Sequence, residues 1–163
     1  MKKKIIVAGH ICVDITPAIQ GKNVSKIQEL LIPGKLIEVG NATVSTGGAV
    51  ANTGLAMKIL GANVSLMGKI GDDAFGEIVK NVLKKYDVEE ELSVSDTEAT
   101  SYTVVVAVPG IDRIFLHNPG ANNAFYTEDI SEEELKDAAL FHFGYPPIMR
   151  SMYVNDGEEL VKM

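Results

Sequence analysis

The chain has 163 residues, 46% hydrophobic and 23% charged, a balance that suits one soluble globular domain with enough apolar matter for a core. A net charge of −7, with no basic cluster beyond Lys2, Lys3 and Lys4, speaks against nucleic acid as a partner, and no apolar run approaches the ~20 residues that span a bilayer. The lone Cys12 rules out an internal disulfide framework, and the short apolar run behind the N-terminal lysines is no leader, so the reading is a cytoplasmic chain without membrane contact.

Lys4-Ile5-Ile6-Val7-Ala8 is unbroken apolar sequence and predicts a buried strand of a parallel sheet. After Gly9 the pattern alternates, so His10, Cys12 and Asp14 share one face of an extended segment while Ile11, Val13 and Ile15 share the other. Asp14 is the informative member, because an ionised carboxylate near a buried strand end is costly unless it is hydrogen-bonded. Ligand hydroxyls and a capping role at Thr16-Pro17 satisfy it equally well. His10 and Cys12 lack partners at metal-ligand spacing and read as local packing. Residues 18–35 are irregular. Lys35-Leu36-Ile37-Glu38-Val39 and Thr43-Val44-Ser45 then read as two short strands joined by Gly40-Asn41, forming a flap apart from the main sheet.

Thr46-Gly47-Gly48-Ala49-Val50-Ala51-Asn52 passes from strand to helix through a glycine pair. The first amides of a helix lack internal partners and carry its positive end, and glycine lets a ligand approach them closely. Asn52 lies one turn beyond Gly48 on the same side. By itself the pair is satisfied by a simple turn; a hydroxylated or anionic ligand would also suit it. A helix from Ala49 to about Leu60, apolar nearly all round, is expected to be buried, with Gly61 as its stop. A strand over Asn63–Gly68 and a turn at Ile70-Gly71-Asp72-Asp73 follow. The next helix buries Phe75, Ile78, Val79, Val82, Leu83 and Tyr86, with Asp72 and Asp73 read as N-caps in preference to metal ligands.

Residues 87–99 form an acidic connector with a short strand near Leu92-Ser93-Val94. Ser101–Val108 is the strongest strand pattern, and Pro109-Gly110 turns it into Arg113–His117. That hairpin is expected to join the flap in a small antiparallel sheet, whose apolar side a second copy of the chain would cover. Ser131-Glu132-Glu133-Glu134 opens a short helix, Leu140–Gly144 reads as another buried strand broken by Tyr145-Pro146-Pro147, and a helix begins at Ile148 and continues toward Met163.

Several motifs, in this order, resemble the N-terminal part of the PfkB, or ribokinase-like, carbohydrate kinase family. They are Gly9 with Asp14, Gly47-Gly48-Ala49-Val50-Ala51-Asn52, Leu60-Gly61-Ala62, Gly68-Lys69-Ile70-Gly71-Asp72-Asp73-Ala74-Phe75-Gly76 and Pro119-Gly120-Ala121-Asn122. The resemblance implies an α/β, ribokinase-like fold with a central, mostly parallel sheet, flanking helices and a small antiparallel β lid. Residues 1–163 would be the N-terminal part of that domain, incomplete relative to the family, with lid strands inserted at about 15–45 and 98–118. It implies that Asp14, Gly47, Gly48, Asn52, Gly144 and Tyr145 bind a small-molecule sugar, that the lid forms a homodimer, and that ATP and Mg2+ serve the whole enzyme.

The family's Gly-Ala-Gly-Asp motif, which carries the catalytic base and the anion hole, does not occur in this sequence. No catalytic residue is therefore assigned in this chain, its nucleotide site is largely absent, and by itself it is expected to be inactive. Val50, Gly54 and Cys12 depart from the family pattern, Cys12 standing where ribokinases carry a sugar-binding asparagine. Two other readings compete: a non-catalytic sugar-binding or dimerising fragment, and a Rossmann-type nucleotide-binding domain. The second is disfavoured because Gly9 is alone after the first strand.

Overall fold

Strand β1 (Lys4–Gly9) occupies the middle of a sheet because both of its faces are apolar. Ile6 and Ala8 enter one core and Val7 enters the other, all three fully buried. The computed structural model describes residues 3–19 and 24–163; residues 20–23, within the stretch read as irregular, lie outside the described residues.

After β1 come β2 (Cys12–Pro17), a single 3-10 turn at Ile27–Glu29, β3 (Ala42–Gly47), α1 (Gly48–Ile59), β4 (Asn63–Gly71), α2 (Ala74–Lys85) and β5 (Glu89–Ser95). Then follow β6 (Tyr102–Val106), β7 (Ile114–Asn118), α3 (Glu132–Lys136), β8 (Ala138–Gly144), α4 (Arg150–Tyr153) and α5 (Glu158–Lys162). The first sheet has the order β5-β4-β1-β8, and each of its pairings is parallel. Its helix-covered side packs Val7, Val64 and Leu66 against Val50 and Ala51 of α1 and Val79 and Leu83 of α2. The other side packs Ile6, Ala8 and Met67 against Phe125, Met149 and Met152.

The second sheet has the order β3-β2-β6-β7. One of its faces rests on α2, where Ile15 and Tyr102 meet Phe75, with the Tyr102 and Phe75 ring centroids 5.3 Å apart. No helix among the described residues is long and apolar enough to cross a membrane.

Local signals explain the element ends. Asp73 caps α2 by accepting from the Gly76 N–H at 2.8 Å and also accepts from the Thr100 N–H at 2.7 Å. Gly61 closes α1 in the left-handed conformation (φ +83°), with bonds from Gly61 N–H to the Lys58 carbonyl and from Ala62 N–H to the Met57 carbonyl.

Six expectations need correction. Lys35–Val39 is not a strand: the β2–β3 ladder ends at Pro17 and Ala42, its last backbone bonds among the described residues join Ala18 to Gly40 and Asn41, and Leu36 is 94% exposed. The second sheet is mixed and not antiparallel, since its two antiparallel pairs, β2–β3 and β6–β7, are joined by a parallel β2–β6 pairing. Helix α1 is buried only through Gly54, and Ile59 and Leu60 at its far end are exposed. Strand β4 runs on to Gly71, because β5 pairs with it over the whole stretch Ser65–Gly71 and so forms a full edge strand. Strand β8 is a sheet edge that exposes Leu140 and Phe141. The run from Ile148 to Met163 is broken into short helices, because Asn155, Asp156 and Gly157 all take positive φ.

Candidate functional site

Three glycines lie in one row at the carboxyl end of the first sheet: Gly68, Gly9 and Gly144 are register partners across β4, β1 and β8. The chain leaves β1 toward β4 on one side and returns to it as β8 on the other, the kind of position where open parallel sheets bind ligands. Gly9, at φ +116°, bends the chain out of the first sheet and into β2 of the second. Asn122, fully buried, clamps that bend: its side chain accepts from the Ile11 N–H at 3.1 Å and donates to the Ile11 carbonyl at 2.8 Å. Beyond this corner opens a cleft of about 290 Å³ between the two sheets.

The period-two alternation of β2 and the register of the second sheet decide what faces the cleft. Asp14 pairs with Thr103, and Thr103 pairs with His117, so these three side chains stand in one row on the same sheet face. Cys12 precedes Asp14 on that face, and His10 enters from the Gly9 bend. Phe115, Tyr145 and Ile148 provide apolar walls, and the backbone of Gly48 forms part of the lining.

The polar groups form one directed hydrogen-bond chain. Cys12 Sγ donates to Asp14 Oδ1 at 3.4 Å, and Thr103 Oγ1 donates to Cys12 Sγ at 3.9 Å. His117 Nδ1 lies 2.9 Å from Thr103 Oγ1 and His10 Nε2 lies 3.4 Å from His117 Nε2; because Thr103 gives its one proton to Cys12, the tautomers are assigned with His117 Nδ1 donating to Thr103 and His10 Nε2 donating to His117. This tautomer set leaves His10 Nδ1 as a buried lone pair facing Gly48 at the positive end of α1. The donors all run toward Asp14, each bond polarising the next.

Titration follows burial. Burial, then the neighbouring His117, lowers His10 from 6.5 to about 4. Burial also lowers His117, against the pull of Asp14. Burial, then the Asp14 charge, pushes the Cys12 thiol up to about 12, so it stays protonated and keeps donating. Near neutral pH the imidazoles and the thiol are therefore uncharged.

The residues singled out in the sequence fall into two groups. Asp14, Gly48 and Tyr145 line the cleft. Gly47 stands behind Asp14, with its missing Cβ 2.6 Å from the carboxylate carbon, and Gly144 supports Tyr145 with its own Cβ position 3.1 Å from the Ala49 methyl. Asn52 is exposed on α1 and is not part of the lining. His10 and Cys12, read as packing, line the cleft, as do Thr103, Phe115, His117 and Ile148, which the sequence did not single out. The shared face of His10, Cys12 and Asp14 was a usable signal for the first two. For Thr103 and His117 no local signal exists, since their place depends on pairing across the second sheet.

A sequence model described as "pfkB family carbohydrate kinase" matches residues 2–162. The probable fructokinase-3 of Arabidopsis thaliana is 27% identical over 146 residues, covering 88% of this chain and 39% of that protein. The crystal structure of a fructokinase with bound ATP from Xylella fastidiosa superposes with a TM-score of 0.69 at 25% identity, over 88% of this chain and 42% of that one. A putative ribokinase II from E. coli, in its apo form, gives a TM-score of 0.71 at 24% identity, over 98% of this chain and 48% of that one. The chain thus spans about 40% of the length of the curated relatives it matches.

Proposed function

The chain belongs to the pfkB family of carbohydrate kinases, and from that premise we propose that the cleft is the sugar-binding part of an enzyme that transfers phosphate from ATP to a sugar hydroxyl. One observation carries this reading. Asp14 is the sole carboxylate in a cleft whose other polar groups are uncharged, and among the described residues nothing donates to its Oδ2. A carboxylate oxygen beside a glycine corner suits a neutral polyol, whose hydroxyl donates to the oxygen while the ring packs on Phe115 and Tyr145. The second sheet, with strands in both inserted regions, acts as the lid over that ligand. A second copy of the chain covers the part of the lid that α2 leaves open, where Val44 and Leu116 are exposed.

ATP supplies the phosphoryl group in such an enzyme, and its fit can be tested on the donor set. The cleft lining contains no lysine or arginine, and the described residues hold no group of three or more His, Cys, Asp or Glu suited to a metal ion. These residues fit a neutral hydroxylated ligand and do not fit a metal-bound triphosphate, so no step through ATP or Mg2+ is assigned to them. The part of this chain is to bind, orient and cover the acceptor hydroxyl.

Isothermal calorimetry with fructose, ribose and other hexoses and pentoses tests the proposal. At least one sugar should give a binding heat that Asp14→Ala abolishes while the thermal midpoint stays within about 4 °C of the parent. No heat from any sugar, or heat undiminished in Asp14→Ala, would refute it. A coupled ADP-release assay on the 163-residue chain should show no turnover.

A further inference from the structure

His10 is held by the core on several sides. The residue is 2% exposed, its backbone N–H donates to the Gly144 carbonyl at 2.7 Å, and its carbonyl accepts from the Val50 N–H at 3.1 Å. Its Nδ1 sits 2.6 Å from the position a Gly48 Cβ would take. His117, exposed, rides on β7, an edge strand that among the described residues pairs only with β6. Their Nε2 atoms meet at 3.4 Å across the cleft, with ring centroids 5.2 Å apart. We infer that His10 is a positioning residue which acts through His117: the imidazole pair latches edge strand β7 to the glycine corner and so sets how far the Phe115 wall stands from Asp14. The inference rests on the geometry of the cleft and on no choice of ligand, so it stands or falls separately from the sugar-kinase reading.

Proton accounting makes the latch sensitive to acid. Only one proton fits between the two Nε2 atoms, and in the assigned tautomer set the Nδ1 proton of His117 is engaged by Thr103. A further proton on His117 takes away the acceptor and sets two N–H groups face to face. A further proton on His10 enters at Nδ1, buried against the positive end of α1. The other titratable groups facing the pair are Cys12 and Asp14 from β2 and Tyr145 beyond β8, while α1 brings none. Asp14 favours a charged His117, but burial outweighs it. The latched form therefore binds fewer protons than the open form. Its advantage is complete above 6.5, the ordinary histidine value, and is lost progressively as the pH falls toward about 4.

Amide hydrogen exchange by NMR on the full chain, corrected for intrinsic rates, tests this at about pH 7.5 and about pH 5. Protection at Leu116 and Asn118, whose N–H groups face β6, should fall about tenfold or more on acidification, while Leu66 and Met67 in β4 keep theirs. His10→Gln should weaken β7 protection at the higher pH and remove its pH dependence. His117→Gln should do the same, and it tests the latch from the more exposed partner if a buried glutamine unsettles the fold. Unchanged β7 protection in the parent on acidification, a parallel loss in β4, or a pH dependence that survives in both variants would overturn the inference.

Discussion

Replacing Gly48 with alanine should destabilise the protein far more than replacing its neighbour Gly47, although the two look equivalent in the sequence. Gly48 has φ +83°, where an L residue costs about 1–2 kcal/mol. A Cβ there would overlap the His10 carbonyl, which is backbone held by the Val50 N–H at 3.1 Å, and would stand 2.6 Å from His10 Nδ1. Forcing atoms into such a packed place adds about 1–3 kcal/mol, for a total of about 2–5 kcal/mol. With a urea slope of about 1–3 kcal/mol per molar, the unfolding midpoint should drop by about 1–2 M. Gly47 sits at φ −131°, ordinary extended backbone, and the three atoms nearest its Cβ position all belong to the Asp14 carboxylate, a side-chain end that can rotate away. Gly47→Ala should stay within about 1 kcal/mol of the parent and instead displace Asp14 from its bond with Cys12. Urea titrations followed by far-ultraviolet circular dichroism measure both variants. A Gly47→Ala protein as destabilised as Gly48→Ala, or a Gly48→Ala protein with an unmoved midpoint, would refute this account of the corner.

Three further outcomes can be measured. Asp73→Ala should cost about 1–2 kcal/mol through loss of the α2 cap. Burial tends to raise the Asp73 carboxyl, but the Thr100 and Gly76 N–H groups outweigh it and hold the group below its ordinary 3.8. Its stabilisation is thus present above that value and lost as the pH falls through the folded one; an Asp73→Asn protein with the parent's acid dependence of the urea midpoint would contradict this. The Cys12 thiol, raised to about 12, should react with iodoacetamide at mildly alkaline pH on the order of 100-fold or more slowly than in the urea-unfolded chain, and comparable rates would sink the prediction. Lys69 Nζ contacts both Asp129 carboxylate oxygens at 3.0 Å, with both side chains largely buried, so Asp129→Ala should cost about 1–3 kcal/mol. Thermal melts of Asp129→Ala alone and with Lys69→Met should show the second change recovering part of the loss; strictly additive losses would mean that the pair is not coupled.

Much of the fold was legible because its signals are local. The unbroken apolar run of β1 demands cover on both faces, and the central place of the strand supplies it. Asp73 and Gly61 mark helix ends with chemistry contained within a few residues. The same local logic misled at Lys35–Val39, where a strand-like composition lies beyond the end of the β2–β3 ladder, and at Leu140–Phe141, where a buried-strand pattern sits at an exposed edge.

The site divides along the same line. Period-two alternation alone places His10, Cys12 and Asp14 on one side of the chain, and a glycine pair before a helix marks the corner they face. Neither signal could show that His10 and Cys12 belong to the cleft rather than to packing. Only the tertiary structure brings Thr103 and His117 into the row with Asp14, through the parallel β2–β6 pairing and the β6–β7 register. Side-chain periodicity tells a strand which way each residue points; the identity, direction and register of the neighbouring strand depend on contacts with residues about ninety positions away, and no local pattern encodes them.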